Sequence, residues 1–293
     1  MKKLGFLLIL LLLLSPLHSF ADTVEGDMII TLGENLTEEQ KNLLLAEMDA
    51  PENPEIIYVS NAEEHQYLDR FIAKSLIGTR AISSSAITIA KEGTGLEVQT
   101  KNINWVTDEM YINALITAGV KDAKIYITAP VSVSGTAALT GLIKAYEISA
   151  DKTIPEVVKQ AANEEMVESA KLGEEIGNEN AAALITKIKE EIAKKKPETD
   201  KELQTIIEDA AKDLGVTLTD EQLSSLIDFF NKLKELNIDW SQIEEQINHT
   251  KDQISKYLSS EEGQGFLENI KQFFVNLFDS IKDFFSNSKE GEK

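Results

Sequence analysis

Ala81-Ile82-Ser83-Ser84-Ser85-Ala86-Ile87-Thr88-Ile89-Ala90 and Leu96-Glu97-Val98-Gln99-Thr100-Lys101-Asn102-Ile103 flank the polar stretch Lys91-Glu92-Gly93-Thr94-Gly95. Both arms alternate, and the connection is polar with two glycines, so the segment reads as a β-hairpin. Upstream, Met28-Ile29-Ile30-Thr31-Leu32 and Ile56-Ile57-Tyr58-Val59 read as strands, with Pro51 and Pro54 marking the turn before the second. Thr37-Glu38-Glu39-Gln40 is a capping box opening a helix to about Met48, and Glu63 to Ile77 has helical spacing up to Gly78. Downstream, Thr107-Asp108-Glu109 caps a helix running to Gly119, Ala123 to Thr128 is a strand, and Gly135 to Ser149 is a helix. Helix-to-strand returns around a hairpin predict an α+β class, a mixed α/β sandwich of the split-βαβ kind.

Beyond Pro155 the strand signals stop, and apolar residues recur at helical spacing over 156–194, 200–214, 219–236, 239–258 and 262–286. Leu223, Leu226, Ile227, Phe230, Leu233 and Leu236 form one stripe, and Ile243, Ile247, Ile254 and Leu258 another. The expected division is a leader at 1–21, an α+β domain at 22–150 and a helical arm at 151–198. An all-α helical bundle at 199–286 and a polar tail at 287–293 complete it. Leu32-Gly33-Glu34-Asn35-Leu36-Thr37-Glu38-Glu39-Gln40 is echoed by Leu214-Gly215-Val216-Thr217-Leu218-Thr219-Asp220-Glu221-Gln222. The echo reads either as a duplicated helix entry or as one solution to starting an acidic helix, reached twice.

The first residues carry a targeting signal. Lys2 and Lys3 precede the eleven-residue apolar run Leu4 to Leu14, and Ser19 and Ala21 occupy the positions favoured for cleavage. Eleven residues reach only about 16 Å as a helix, roughly half a hydrocarbon core, so cleavage near Ala21 is expected over a permanent anchor. No other stretch approaches 18 uninterrupted apolar residues, so no stable membrane span is expected after cleavage. The 293 residues hold 29 Lys+Arg against 50 Asp+Glu, a net charge of -21. That field repels phosphate backbones, and no nucleic-acid partner is expected. Charge is uneven: strongly acidic over 22–78 and 151–293, balanced over 79–150. The absence of Cys removes thiolate nucleophiles and Cys-ligated metals, and the scattered His65 and His249 form no metal-ligand spacing, so neither a metal nor a cofactor is expected.

Candidate binding residues concentrate in the neutral middle. Arg80, one of only two arginines, sits where a helix hands over to a strand and is followed by hydroxyls including Ser83. Its guanidinium suits a carboxylate or phosphate, and a structural tie to Asp69 or Glu109 is the alternative. Pro130-Val131-Ser132-Val133-Ser134-Gly135-Thr136-Ala137-Ala138 joins a strand to a helix, a place where backbone N–H groups can hold an anion. Alternatively Ser134 caps the helix while Gly135 and Thr136 allow close packing. Asn102, Asn104 and Trp105 end the hairpin with amides beside an aromatic, able to stack on a sugar or to plug the core. The Phe-rich stripe from Phe266 to Phe285 suits a bundle core, a partner surface or a membrane-lying helix.

Gly78-Thr79-Arg80-Ala81-Ile82-Ser83-Ser84, Gly95-Leu96, Asn102-Ile103-Asn104-Trp105 and the run Tyr111 to Ala123 together carry a resemblance, continued by Ala129-Pro130, Val133 to Gly141 and Lys144-Ala145-Tyr146-Glu147. In these residues the chain resembles the exported Gram-positive family called domain of unknown function 1002. Leu32-Gly33, Leu36-Thr37 and Glu39-Gln40 match its opening. The match is dense over 78–149, weaker over 28–77 and architectural in the helical half. The resemblance implies a leader and a chain of about this size but no catalytic role for any residue. It marks Arg80, Ser83, Asn102, Asn104, Trp105, Ser134, Gly135 and Thr136.

These readings predict an exported, acidic envelope or extracellular binding module. Its partner is an unidentified protein or cell-wall component. The alternative is an envelope hydrolase using two carboxylates from Glu97, Asp108, Glu109 and Glu147, about 5–10 Å apart across a cleft, one with a raised pKa.

Overall fold

A computed structural model describes residues 25–258, with side chains as far as Lys251. The expected leader at 1–21, the Phe-rich stretch 262–286 and the expected tail at 287–293 lie outside the described residues. The class is α+β. Five strands, β1 (Met28–Gly33), β2 (Glu55–Val59), β3 (Ser84–Ile89), β4 (Leu96–Ile103) and β5 (Ala123–Val133), form one mixed sheet in the order β2-β1-β3-β5-β4. β1 pairs parallel with β2, β4 parallel with β5, and β3 runs antiparallel between β1 and β5.

The expected hairpin is therefore replaced by a different pairing, in which β5 stands between β3 and β4. The reason lies in what each strand can bury. β5 covers both faces with Ile125, Ile127, Thr128 and Ala129, so it belongs inside the sheet. β4 alternates Leu96 and Val98 with exposed Glu97, Gln99 and Lys101, a pattern that suits an edge. The Lys91 to Gly95 turn fastens to the start of β5: the Asp122 carboxylate accepts from Gly95 N at 2.7 Å, and the Asp122 carbonyl accepts from Ala90 N at 2.8 Å.

One face of the sheet is covered by α1 (Glu38–Glu47), whose Leu44, with Met48 just beyond the helix, packs on Ile30, Leu32 and Ala86. The other face carries Ile29, Ile87, Ile125 and Ile127 into the main core, under α4 (Asp108–Thr117) and α5 (Thr136–Ser149). The helix expected over Glu63 to Ile77 is instead two: α2 (Asn61–Leu68) and the single turn α3 (Lys74–Ile77). His65 makes the fold-back, with Nδ1 2.6 Å from Asp69 and Nε2 3.1 Å from the Gly78 carbonyl. Capping boxes open α1 at Thr37/Gln40 and α2 at Ser60/Glu63.

The stretch 156–194 also divides, at Gly177 (φ +94), into α6 (Glu156–Ile176) and α7 (Asn178–Lys195), which pack along each other. Val158, Ala162 and Met166 of α6 join the core beneath the sheet. α8 (Asp200–Asp213), α9 (Asp220–Glu235) and α10 (Trp240–Leu258) follow, with capping boxes at Thr199/Glu202 and Thr219/Gln222. Leu184, Ile188, Ile207, Phe230 and Leu233 anchor a second core among α7, α8 and α9. α10 returns to the sheet: Leu96 N donates to Thr250 Oγ1 at 3.1 Å and Asp122 N to Gln246 Oε1 at 3.3 Å. Where α4, α6 and α7 meet, the buried Lys189 ammonium lies 2.9 Å from the buried Glu165 carboxylate. No helix among the described residues is long and apolar enough to cross a membrane.

Candidate functional site

The pairing of β3 with β5 decides where the site lies. Ser84 pairs with Thr128, so the chain entering β3 runs beside the chain leaving β5 toward α5. Arg80 and Ser83 are thereby brought to Ser134, Gly135 and Thr136. With α3 and Glu64 of α2 they line an open cavity of about 300 Å³. Five of the residues marked in the sequence thus share one lining, and none of that lining is aromatic.

Gly135 shapes one end. It is the N-cap of α5 at φ +92, and its carbonyl accepts from the buried Tyr111 hydroxyl. A Cβ there would stand 2.5 Å from both Ile103 Cγ2 and Tyr111 Oη. Ser134 does not cap the helix, the alternative reading of this loop: its hydroxyl donates to the Leu76 carbonyl at 3.3 Å and lies 3.3 Å from Thr136 Oγ1. The cap of α5 supplies no side-chain acceptor, so its first turn meets the cavity with the helix dipole's positive end. We expect Gly135→Ala to cost about 2–3 kcal/mol, from left-handed backbone plus overlap. Gly215→Ala, at φ +67 with open space around it, should cost only about 1 kcal/mol. Urea unfolding of both variants measures the difference, and equal costs would show that the Ile103–Tyr111 wall gives way freely.

The residue that the sequence reading missed is Glu64. It lies on α2, 1% exposed, and is one of the residues lining the cavity. Oε2 accepts from Asn61 Nδ2 at 3.1 Å, and Oε1 has no partner among the described residues. Burial pushes its carboxyl up to about 7, against the Asn61 hydrogen bond and the nearby His65. The available signal was its place four residues before the buried Leu68, on the inward stripe of the helix. Arg80, an exposed residue of the same lining, carries the opposite charge. One Nη donates to the Asn35 carbonyl at 3.1 Å, and the guanidinium has no carboxylate partner among the described residues, so neither tie proposed from the sequence forms. Asp69 pairs instead with His65 and Lys74.

Asn102, Asn104 and Trp105 fall elsewhere, on the register shift between β4 and β5. Asn102 Nδ2 donates to the Ala129 carbonyl at 2.7 Å and Asn104 Nδ2 to Ser132 Oγ at 3.0 Å. The Trp105 ring packs against the main core while Nε1 donates to Glu174 of α6 at 2.7 Å. These side chains tie the bulged end of the sheet together. Of the four acids considered for hydrolysis, two are held in ion pairs and two adjoin each other. Glu97 pairs with Lys124, and Glu147 accepts from Lys159 and Ile154 N. Burial raises Asp108 to about 6 and also raises Glu109, adjacent residues in the first turn of α4. None of the four lines the cavity.

A second cleft, of about 350 Å³, lies between α6 and α9, with Glu168, Lys171, Glu175 and Gln222 along it. Its polar groups bond one another: Lys171 to Glu168, Ser225 to Glu168 and Gln222 to Glu175. The smaller cavity therefore holds the stronger chemical demand. Among the described residues no cluster of His, Asp and Glu is arranged to hold a metal ion.

The sequence matches the family described as "Protein of unknown function (DUF1002)" over residues 32–250, which includes every residue of the cavity and extends well into the helical half. The "Uncharacterized protein YpuA" of Bacillus subtilis (strain 168) is 54% identical over 276 residues, covering 94% of this chain and 95% of the relative. No solved structure matches the chain.

Proposed function

This chain belongs to the DUF1002 protein family, and we propose that it works as an exported, acidic binding module that takes a small polar ligand into the cavity between α2, α3 and the start of α5. The leader ending at Ala21 supports export. The observation that carries the binding role is the buried, unpartnered Oε1 of Glu64, a residue that lines the cavity. Leaving a buried polar oxygen unpaired costs about 1–3 kcal/mol, and a bound donor removes that cost. Arg80, the open first turn of α5 and the hydroxyls of Ser83 and Thr136 add complementary donors. Glu97 and Glu147 are held in ion pairs, and neither they nor Asp108 and Glu109 line the cavity, which favours binding over carboxylate hydrolysis there.

The test uses protein recovered outside the cell, with Asp22 expected as its first residue. Thermal melting at pH 7.5 is followed with separate additions of amino acids, hydroxy acids, hexoses, amino sugars and inorganic phosphate. A ligand at one hundred times its Kd stabilises by about 2.7 kcal/mol, which in a chain of this size raises Tm by roughly 5–10 °C. We expect one class to do so with the wild type and to lose most of the effect in Glu64→Gln. A panel without effect, or an equal shift in both proteins, would refute binding in this cavity.

A further inference from the structure

Building on that binding role, we propose that the ligand is a zwitterion of the amino-acid type, its ammonium on Oε1 of Glu64 and its carboxylate between Arg80 and the first turn of α5. The cavity holds one acidic and one basic side chain, Glu64 and Arg80. They sit on separate elements, α2 and the chain entering β3. A ligand with only a negative charge would leave the Glu64 oxygen unpaired and be repelled by it. A ligand with only a positive charge would meet the Arg80 guanidinium, whose planar fork is suited to a carboxylate. A neutral sugar would satisfy the hydroxyls, but no aromatic face lines the cavity to stack a ring, since Trp105 is engaged with Glu174. A zwitterion fills both roles. Ser83 and Thr136, both buried, line the same cavity.

Affinity should then depend on pH through Glu64, which must be ionised to hold an ammonium. Around it on α2 stand His65, held by Asp69 and Gly78, and Glu63, held by Lys144 of α5 at 2.6 Å. Lys74 of α3 points to Asp69, while Glu156 and Lys159 of α6 engage Tyr67 and Glu147. With the Glu64 carboxyl near 7 in the empty protein, binding releases its proton, so Kd should be about tenfold weaker at pH 6 than at pH 8.

Calorimetric titration of the full chain with the standard L-amino acids and D-alanine tests this. The tightest is then compared with its deaminated acid and its decarboxylated amine. At least one amino acid should bind, each truncated analogue should bind at least tenfold more weakly, and Glu64→Gln and Arg80→Gln should each lose at least tenfold. His65→Gln should retain the pH dependence, which assigns it to Glu64. Circular dichroism confirms that every variant is folded. If the analogue lacking the ammonium binds equally well, or only a hexose or phosphate binds, the zwitterion is refuted while the binding role stands. If nothing in either panel binds, both fall.

Discussion

Glu64→Gln should make the empty protein more stable than wild type at pH 8, by about 3 kcal/mol, with the gain disappearing as the pH is lowered to about 4.5. The sign follows from linkage. The folded protein raises this carboxyl from an ordinary value of 4.5 to about 7, so between those values the native state holds a proton that the unfolded chain releases. Stability contributed by that site therefore falls as pH rises through this window, and the loss is complete above about 7. The rise from 4.5 to about 7 corresponds to about 3 kcal/mol. The glutamine keeps the shape and the contact to Asn61 but carries no charge to desolvate. Urea unfolding of both proteins from pH 4.5 to 8 measures the difference curve. A difference independent of pH, or a variant weaker than wild type at pH 8, would show that Glu64 is not held as a buried acid. A mutation that stabilises the empty protein while removing ligand binding is the behaviour of a group retained for binding at the expense of stability.

The parts of this fold that were legible in the sequence are those fixed by a few adjacent residues. Thr37 with Gln40 and Thr219 with Gln222 form the capping boxes read from their spacing, because a cap is completed within one turn. The place of β5 was not legible in this way. Gly93 and Gly95 signal a reversal, but the neighbour of β3 is chosen by which strand can bury both faces, and that comparison spans forty residues. The site shows the same division. Arg80, Ser83 and Ser134 to Thr136 were marked separately for their chemistry, and only the β3–β5 pairing joins them. Asn102, Asn104 and Trp105 carry equally suggestive side chains, yet their partners at Ala129, Ser132 and Glu174 lie 27, 28 and 69 positions away and turn them to structural use. Glu64 was hidden among many helical acids that face water. Its four-residue spacing from Leu68 is the one local sign that it does not.

Lys189→Met should lower the unfolding free energy by about 3–5 kcal/mol, whereas Lys189→Met combined with Glu165→Leu should return to within about 1 kcal/mol of wild type. The Lys189 ammonium uses all three of its donors: Glu165 Oε1 at 2.9 Å, the Asn113 carbonyl at 2.7 Å and Thr117 Oγ1 at 2.7 Å, while the Thr117 hydroxyl donates to the other Glu165 oxygen. Burial is complete on both sides, and desolvation pulls the lysine down and pushes the glutamate up. The attraction between them offsets that cost only while both are present. Removing one leaves an isolated buried charge between α4, α6 and α7; removing both exchanges a satisfied polar node for apolar volume. Thr117 then has its own helix's Asn113 carbonyl as an acceptor. A double-mutant cycle by urea unfolding reads the outcome. If the double variant is as weak as the single one, the hydrogen bonds themselves, rather than avoidance of an unpaired charge, fasten the helices here. Either way the node joins α4 to α6 and α7, so these helices unfold with the sheet if the predicted single-variant loss appears in one cooperative transition.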